Sequence, residues 1–414
     1  MRIEKKIDKR VLSNYIYLML LQGANFLLPL ITLPYLIKVL GLEKFGVVMM
    51  AASFITFFNI LVDFGFNISA TREVSLIRED KEQLSKFFWT VFLIKFLLLV
   101  FAFFLLTLLV YAIPKLREEA YVYIFSFGVV IGQALFPAWF FQGIEQMRMI
   151  TIINVTAKLI FTVLIFLLIK KADQYIYIPV LSSLGFIIAG IIGFVISLKY
   201  VFARKPNMRQ SINLAKDSAF LFVSNFSTNL YTSANTFILG IFAGDYLAGI
   251  YSSMEKLVIA IKSMYIPFYQ ALFPWLSRKK YKEQIAFIHK IKPFITLTGL
   301  GIVLFILLFA DSILNFIYHK PEINEYSNVF RILSFIALFS GLGMMYISLL
   351  FPALKLYKER MKIMISGGIF NIIMAIILVR FFTIYGVAVS AVITELFLLL
   401  MAVSIFKRKI NKTE

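Results

Sequence analysis

SNFSTNLYTSANT (224–236) and YSSMEKLVIAIK (251–262) place hydroxyls, carboxamides and charges inside two otherwise apolar stretches, 217–242 and 247–275. Each stretch is long enough to cross a bilayer, for which about 20 mostly apolar residues suffice. One ion at the bilayer centre costs roughly 2.5–3.5 kcal/mol on insertion scales. Glu255, Lys256 and Lys262 facing lipid together would therefore cost roughly 8–10 kcal/mol. They are expected to face a watery interior, which makes these two stretches the candidate functional site.

The rest of the chain agrees with a membrane setting. Of its 414 residues 61% are hydrophobic and only 15% charged, against about 45–50% and about 25% in soluble domains. The first apolar run is long enough to span and no small-residue cleavage site follows it, so no removable leader is expected. With no cysteine, disulfides, thiolate metal sites and cysteine nucleophiles are excluded. The two histidines, His289 and His319, fall in expected loops, which leaves no histidine metal cluster. No cofactor is expected beyond a coupling ion, H+ or Na+.

Twelve apolar spans are read: 14–37, 46–66, 87–113, 121–143, 151–169, 176–199, 217–242, 247–275, 293–318, 327–352, 361–383 and 386–406. With the N-terminus inside, lysines and arginines sort 28 to 8 in favour of the inner segments. The positive-inside rule then puts both termini in the cytoplasm. Trp89, Trp139 and Trp275 fall near cytoplasmic helix ends, where an aromatic belt is expected. The net charge of +20 thus reports topology, and no nucleic-acid partner is expected. No loop is large enough to house an ATP-binding domain, and GxxxxGK[ST] does not occur. HExxH, GxSxG and DxD are also absent, so no enzyme is expected.

Two short matches suggest a duplication. The first outer loop reads GLEKFG (41–46) and the fourth GDYLAG (244–249). Span four ends in LFPA (135–138) and span ten in LFPA (350–353). The pairing is span one with seven and four with ten, hence two six-span halves, 1–205 and 206–414. An even number of spans per half keeps the halves in the same orientation, with a site between them.

Several side chains are candidates for that site. Asn225, Asn229, Thr232 and Thr236 recur at i, i+4, i+7 and i+11, one face of a helix. Such a stripe either walls a hydrated cavity for hydroxyl-rich cargo or bonds to neighbouring helices. Glu255 and Lys262 lie two turns apart on one face, with Lys256 beside Glu255. This group is either a cationic patch for an anionic group, tuned by Glu255, or an internal pair that ties the helix down. Gln22 and Asn25 share a face of span one, ahead of Pro29 and Pro34, a hinge or a fixed kink. Asp63 could pair with Arg72 at the inner mouth. Lys95 and Lys158 are within snorkelling reach of the cytoplasmic surface. Arg331 lies close to the outer end of span ten, and Glu395 sits mid-span with no evident partner.

FLLPLITLPYLIKVLGLEKFG (26–46), DFGFNISATREVS (63–75), FPAWFFQGIEQMRMITIINV (136–155), LYTSANTFILGIFAG (230–244), AGIYSSMEKL (248–257) and YQALFPWLSR (269–278) together resemble the Wzx-type flippases of bacterial O-antigen and capsular polysaccharide repeat units. These form the polysaccharide-transporter branch of the multidrug/oligosaccharidyl-lipid/polysaccharide exporter superfamily. The resemblance implies an all-α polytopic membrane protein, with twelve transmembrane helices as two six-helix bundles around a central cavity. It implies alternating access that moves undecaprenyl-diphosphate-linked oligosaccharide across the bacterial cytoplasmic membrane. Membrane lipid would hold the prenyl tail, and a polysaccharide polymerase and a chain-length regulator would be the downstream partners. It also implies a cationic cavity, whose charge Lys256, Lys262 and Arg331 could supply by position. A cation-coupled multidrug exporter and a lipid II flippase share the expected fold. Lys256 and Lys262 outnumber Glu255, which argues against the exporter, in which acidic groups would dominate.

Overall fold

The computed structural model describes residues 2–206 and 208–410. Within them the side chains of 2–16, 18, 26, 208–213, 215–217, 220, 221, 224, 230, 232, 271, 274, 409 and 410 lie outside the description. Every regular element among the described residues is helical.

Helix α1 runs Arg2–Asp63 and is two helices joined at Gly41. Gly41 is the only non-helical residue inside it, with φ 73° and ψ 168°, a conformation open chiefly to glycine. Pro29 and Pro34 lie within continuous helix. There the Thr32 hydroxyl donates to the carbonyls of Leu28 and Pro29 at 3.2 and 3.0 Å. Helix α2 (Phe66–Ile77) follows a break at Phe64 and Gly65, both with positive φ. Helix α3 (Lys81–Ala112) is capped by Asp80, whose carboxylate accepts from the amides of Glu82 and Gln83 at 3.0 Å. The Gln83 amide bond in particular holds the Asp80 carboxyl below its ordinary value.

The next span is segmented. After the short α4 (Pro114–Arg117) come α5 (Ala120–Ser126), α6 (Gly128–Leu135) and α7 (Ala138–Gly143). The break between α6 and α7 falls at Phe136–Pro137, inside the first LFPA, where proline cannot donate to the preceding turn. Helices α8 (Met147–Leu168), α9 (Tyr177–Ser197) and α10 (Met208–Ala243) follow. Helices α11 (Asp245–Ser263) and α12 (Tyr265–Ser277) make up the second polar stretch. Helix α13 (Tyr281–Tyr318) begins well before the apolar stretch from 293, so His289 lies in a helix rather than in the expected loop. The short α14 (Pro321–Asn324) leads to α15 (Ser327–Met344). Its continuation is a π-helical turn (Met345–Leu350) and α16 (Phe351–Ala353), so the second LFPA also interrupts regular helix.

Helix α17 (Tyr357–Ile410) turns back on itself at Thr383, φ 48° and ψ −123°. The pairs across it prove the hairpin. Phe370 stacks on Phe397 at 4.4 Å, Asn371 donates to Thr394 at 3.2 Å, and Gly386 packs under the Leu378 carbonyl.

Among the described residues, eight helical stretches are long and apolar enough to cross a membrane. Their outward faces are apolar: Phe96, Phe101, Phe104 and Leu108 on α3, and Leu297, Leu304, Phe305 and Leu308 on α13, are all exposed. An exposed apolar belt of that size needs lipid rather than water around it. Helix α11, which carries Asp245, Glu255, Lys256 and Lys262, and the thirteen-residue α12 are not among the eight.

The chain forms two compact units. The first comprises Met1–Leu40 and Ala51–Phe226, the second Gly41–Met50 and Ser227–Glu414. The first has an aromatic core in which Phe87, Phe88, Phe92 and Phe140 surround Trp139. Trp139 is fully buried there, not in an interfacial belt. The second is centred on Tyr265, Tyr269, Tyr346 and Phe351.

Within the second unit the two Gly-x-x-x-x-Gly loops clasp one another. Gly244 (φ 90°, ψ 167°) repeats the backbone of Gly41. A Cβ on Gly46 would lie 1.8 Å from the Asp245 carbonyl oxygen, and one on Gly249 would lie 2.2 Å from that of Leu42. Asp245 and Leu42 each directly follow the first glycine of their loop. The contact is therefore reciprocal, as between related segments about a local two-fold.

Candidate functional site

The polar stretch of the second unit folds into two buried clusters. Glu255 on α11 is 8% exposed, and its carboxylate accepts from the Thr236 hydroxyl of α10 at 3.0 Å. The Asn235 carboxamide and the Tyr251 and Ser252 hydroxyls are buried in the same two helices. Two turns on, Lys262 ion-pairs with Glu395 of α17. Its ammonium also lies 5.6 Å from the Tyr231 ring centre, at cation–π distance.

Glu395 therefore has a partner that its position in sequence did not reveal, and Glu255 and Lys262 bond to different neighbours. Lys256, one residue from Glu255, is exposed, as neighbours on a helix point about 100° apart. Asn225 and Asn229 are half-buried, and the Thr232 side chain lies outside the described residues.

Arg331 departs from the expected cavity role. Its guanidinium donates to Asp311 at 2.6 Å, to Ser327 and Asn328 at 2.9 Å, and to the Leu307 carbonyl at 3.2 Å. These bonds use Arg331 to fasten α15 to α13. They are available because Asp311 and Asn328 sit on the adjoining turns.

The first unit holds a pocket of about 450 Å³ lined by α1, α2, α3, α6, α7, α8 and α9. Asn25 and Asp63 line it, as do Lys95 and Lys158. Lys95, only 4% exposed, pairs with Asp63 at 3.5 Å. The expected Asp63–Arg72 pair does not form. The break at Phe64–Gly65 sends α2 off on a new course, and Arg72 is exposed on it. Lys158 donates to the Asn25 carboxamide oxygen at 2.5 Å. Gln22, three residues earlier on α1, is exposed.

Neither lysine snorkels to the surface; both turn inward. A readable signal existed in the sequence. Asn59 and Asp63 are four residues apart, as are Asn154 and Lys158, each pair marking one polar helix face.

The arrangement can hold polar cargo inside a membrane protein. It supplies ammonium groups, carboxamides and hydroxyls in both units, with no group of metal-ligating side chains among the described residues.

Known proteins fit this description. A candidate O-antigen transporter of Escherichia coli (strain K12) is 28% identical over 390 residues, 92% of this chain and 93% of that protein. A lipid II flippase, MurJ, solved in an inward closed conformation, superposes with a TM-score of 0.68 at 15% identity over 94% of this chain and 87% of that one. An inward-facing multidrug resistance MATE family transporter of the MOP superfamily gives 0.66 at 14% identity, over 91% of this chain and 92% of that one. The structural likenesses establish the fold, an all-α membrane transporter fold. Residues 11–280 match the family described as polysaccharide biosynthesis protein, and the chain belongs to that family.

Proposed function

We propose that the protein is a flippase for undecaprenyl-diphosphate-linked oligosaccharide repeat units. It works by alternating access across the bacterial cytoplasmic membrane, with twelve spans in two halves, 1–205 and 206–414, and both termini in the cytoplasm. The observation that carries this reading is the set of buried charges and carboxamides inside apolar helices, Lys262–Glu395 and Lys95–Asp63 above all. Intramembrane charges are expensive and mark transport paths. Sugar hydroxyls match the carboxamides and hydroxyls, and a diphosphate matches the ammonium groups. The prenyl tail stays in lipid throughout. Transport of this kind makes and breaks no covalent bond, so no catalytic residue is assigned.

Lys256 and Lys262 are the proposed anion contacts of the second unit, with Glu255, Asn225, Asn229 and Thr236 as polar lining. The coupling ion is H+ or Na+, and a polysaccharide polymerase and a chain-length regulator receive the product. The test is complementation of a flippase-null strain. The expected result is restored surface glycan with the parent chain and none with the Lys256→Glu/Lys262→Glu variant at equal membrane abundance. Full recovery by that variant removes both lysines from the path. Restored lipid II transport without restored glycan would favour the lipid II reading. Drug resistance alone would favour the exporter.

A further inference from the structure

We propose that the pocket of the first unit is a subsite for one anionic sugar unit, held by Lys158. This deepens the flippase reading and rests on it for the identity of the cargo. The pocket's volume of about 450 Å³ falls within the roughly 300–1,000 Å³ of small-molecule sites.

Its charges do not balance. Asp63 and Lys95 offset each other at 3.5 Å. Lys158 has the Asn25 carboxamide oxygen and no carboxylate within ion-pair distance among the described residues. A half-buried ammonium with one neutral partner is placed to take an anion. Its two remaining hydrogens can point to one.

The rest of the lining suits a sugar ring. Asn59, Gln133, Gln142 and Asn154 bring carboxamides to the same pocket. A carboxamide donates and accepts side by side, as a pair of neighbouring hydroxyls does. The anionic group is either the carboxylate of an acidic sugar or the phosphate joined to the first sugar; both offer oxygen acceptors to the same ammonium.

The experiment uses the full chain in lipid nanodiscs, titrated calorimetrically with methyl glucuronide, glucose 1-phosphate and methyl glucoside. One anionic ligand is expected to bind about tenfold or more tighter than the neutral glucoside, the size of effect one partly buried charge contact gives. A winning glucuronide assigns an acidic sugar; a winning phosphate assigns the sugar–phosphate junction. Lys158→Gln is expected to abolish the preference while leaving glucoside affinity within about twofold, and Lys158→Arg to retain it. Should Lys158→Gln fail to fold, Asn25→Asp places a carboxylate against the ammonium and is expected to remove the same preference. Equal binding of all three ligands by the parent, or a preference that survives both variants, overturns the subsite.

Complementation is run in parallel on the parent chain. Restored glycan without an anion preference sinks the subsite alone. A preference without restored glycan sinks the flippase reading and leaves the subsite standing.

Discussion

Replacing Lys262 by methionine probes whether the buried pair of the second unit behaves as its surroundings require. The Lys262 and Glu395 side chains are 19% and 9% exposed, so water screens neither well. At an effective dielectric of about 20, unit charges about 4 Å apart attract by about 4 kcal/mol. Taking away one partner leaves the other buried and alone, which costs about 3–5 kcal/mol. The lost contact over the Tyr231 ring adds roughly 0.5–2 kcal/mol. Lys262→Met is therefore expected to destabilise the protein by at least about 3 kcal/mol. Lys262→Met/Glu395→Met removes both charges and is expected to lie within about 1 kcal/mol of the parent or above it.

The assay is a double-mutant cycle on purified protein, unfolded in a graded detergent or thermal series. Two results would refute the reasoning: a single variant as stable as the parent, or a double variant as damaged as the two singles combined. Complementation by the double variant then separates the roles of the pair. Lost transport at parental stability assigns the charges to cargo or coupling.

Gly46→Ala and Gly249→Ala, whose new Cβ atoms would sit 1.8 and 2.2 Å from carbonyl oxygens, are each expected to cost about 1–3 kcal/mol, read by thermal unfolding. Gly301→Ala, with nothing within 4 Å, serves as the comparison and is expected to be neutral or to gain up to about 1 kcal/mol. Arg331→Ala is expected to leave glycan transport intact and to lower stability by about 1 kcal/mol, since Asp311 is largely exposed; a complete loss of complementation would return Arg331 to the transport path. Glu255→Gln keeps the Thr236 contact without a buried charge and is expected to be at least as stable as the parent; a loss of more than about 2 kcal/mol would show that attraction to the neighbouring lysines outweighs the cost of burying the carboxylate.

The membrane character of the fold was legible because lipid leaves little freedom: long apolar runs must be helical to satisfy their own backbone. The repeated Gly-x-x-x-x-Gly loops were legible as well, since Gly41 and Gly244 share one backbone conformation. Boundaries on the polar side were less so. Helix α13 continues into the charged segment from 281, where backbone bonding rather than hydropathy sets the end.

The site was half legible. Charge in an apolar helix marks Glu255, Lys262, Lys95 and Glu395 as unusual, yet not which charges meet. Lys262 finds Glu395 from 133 positions away, and Lys158 finds Asn25 across the same separation. Pairing at that range follows from tertiary packing and leaves no local pattern. Arg331 looked like free charge for the opposite reason: its anchor, Asp311, belongs to another span.

Flipping itself is the most direct measurement. Purified protein is reconstituted into liposomes carrying a fluorescent undecaprenyl-diphosphate oligosaccharide on one leaflet, and a membrane-impermeant glycosidase reports arrival on the other. The account predicts protein-dependent arrival, reduced at least tenfold by Lys256→Glu/Lys262→Glu at equal reconstitution, roughly the effect of 1.4 kcal/mol. Arrival no faster than in empty vesicles, under an imposed H+ or Na+ gradient of either direction, would contradict it.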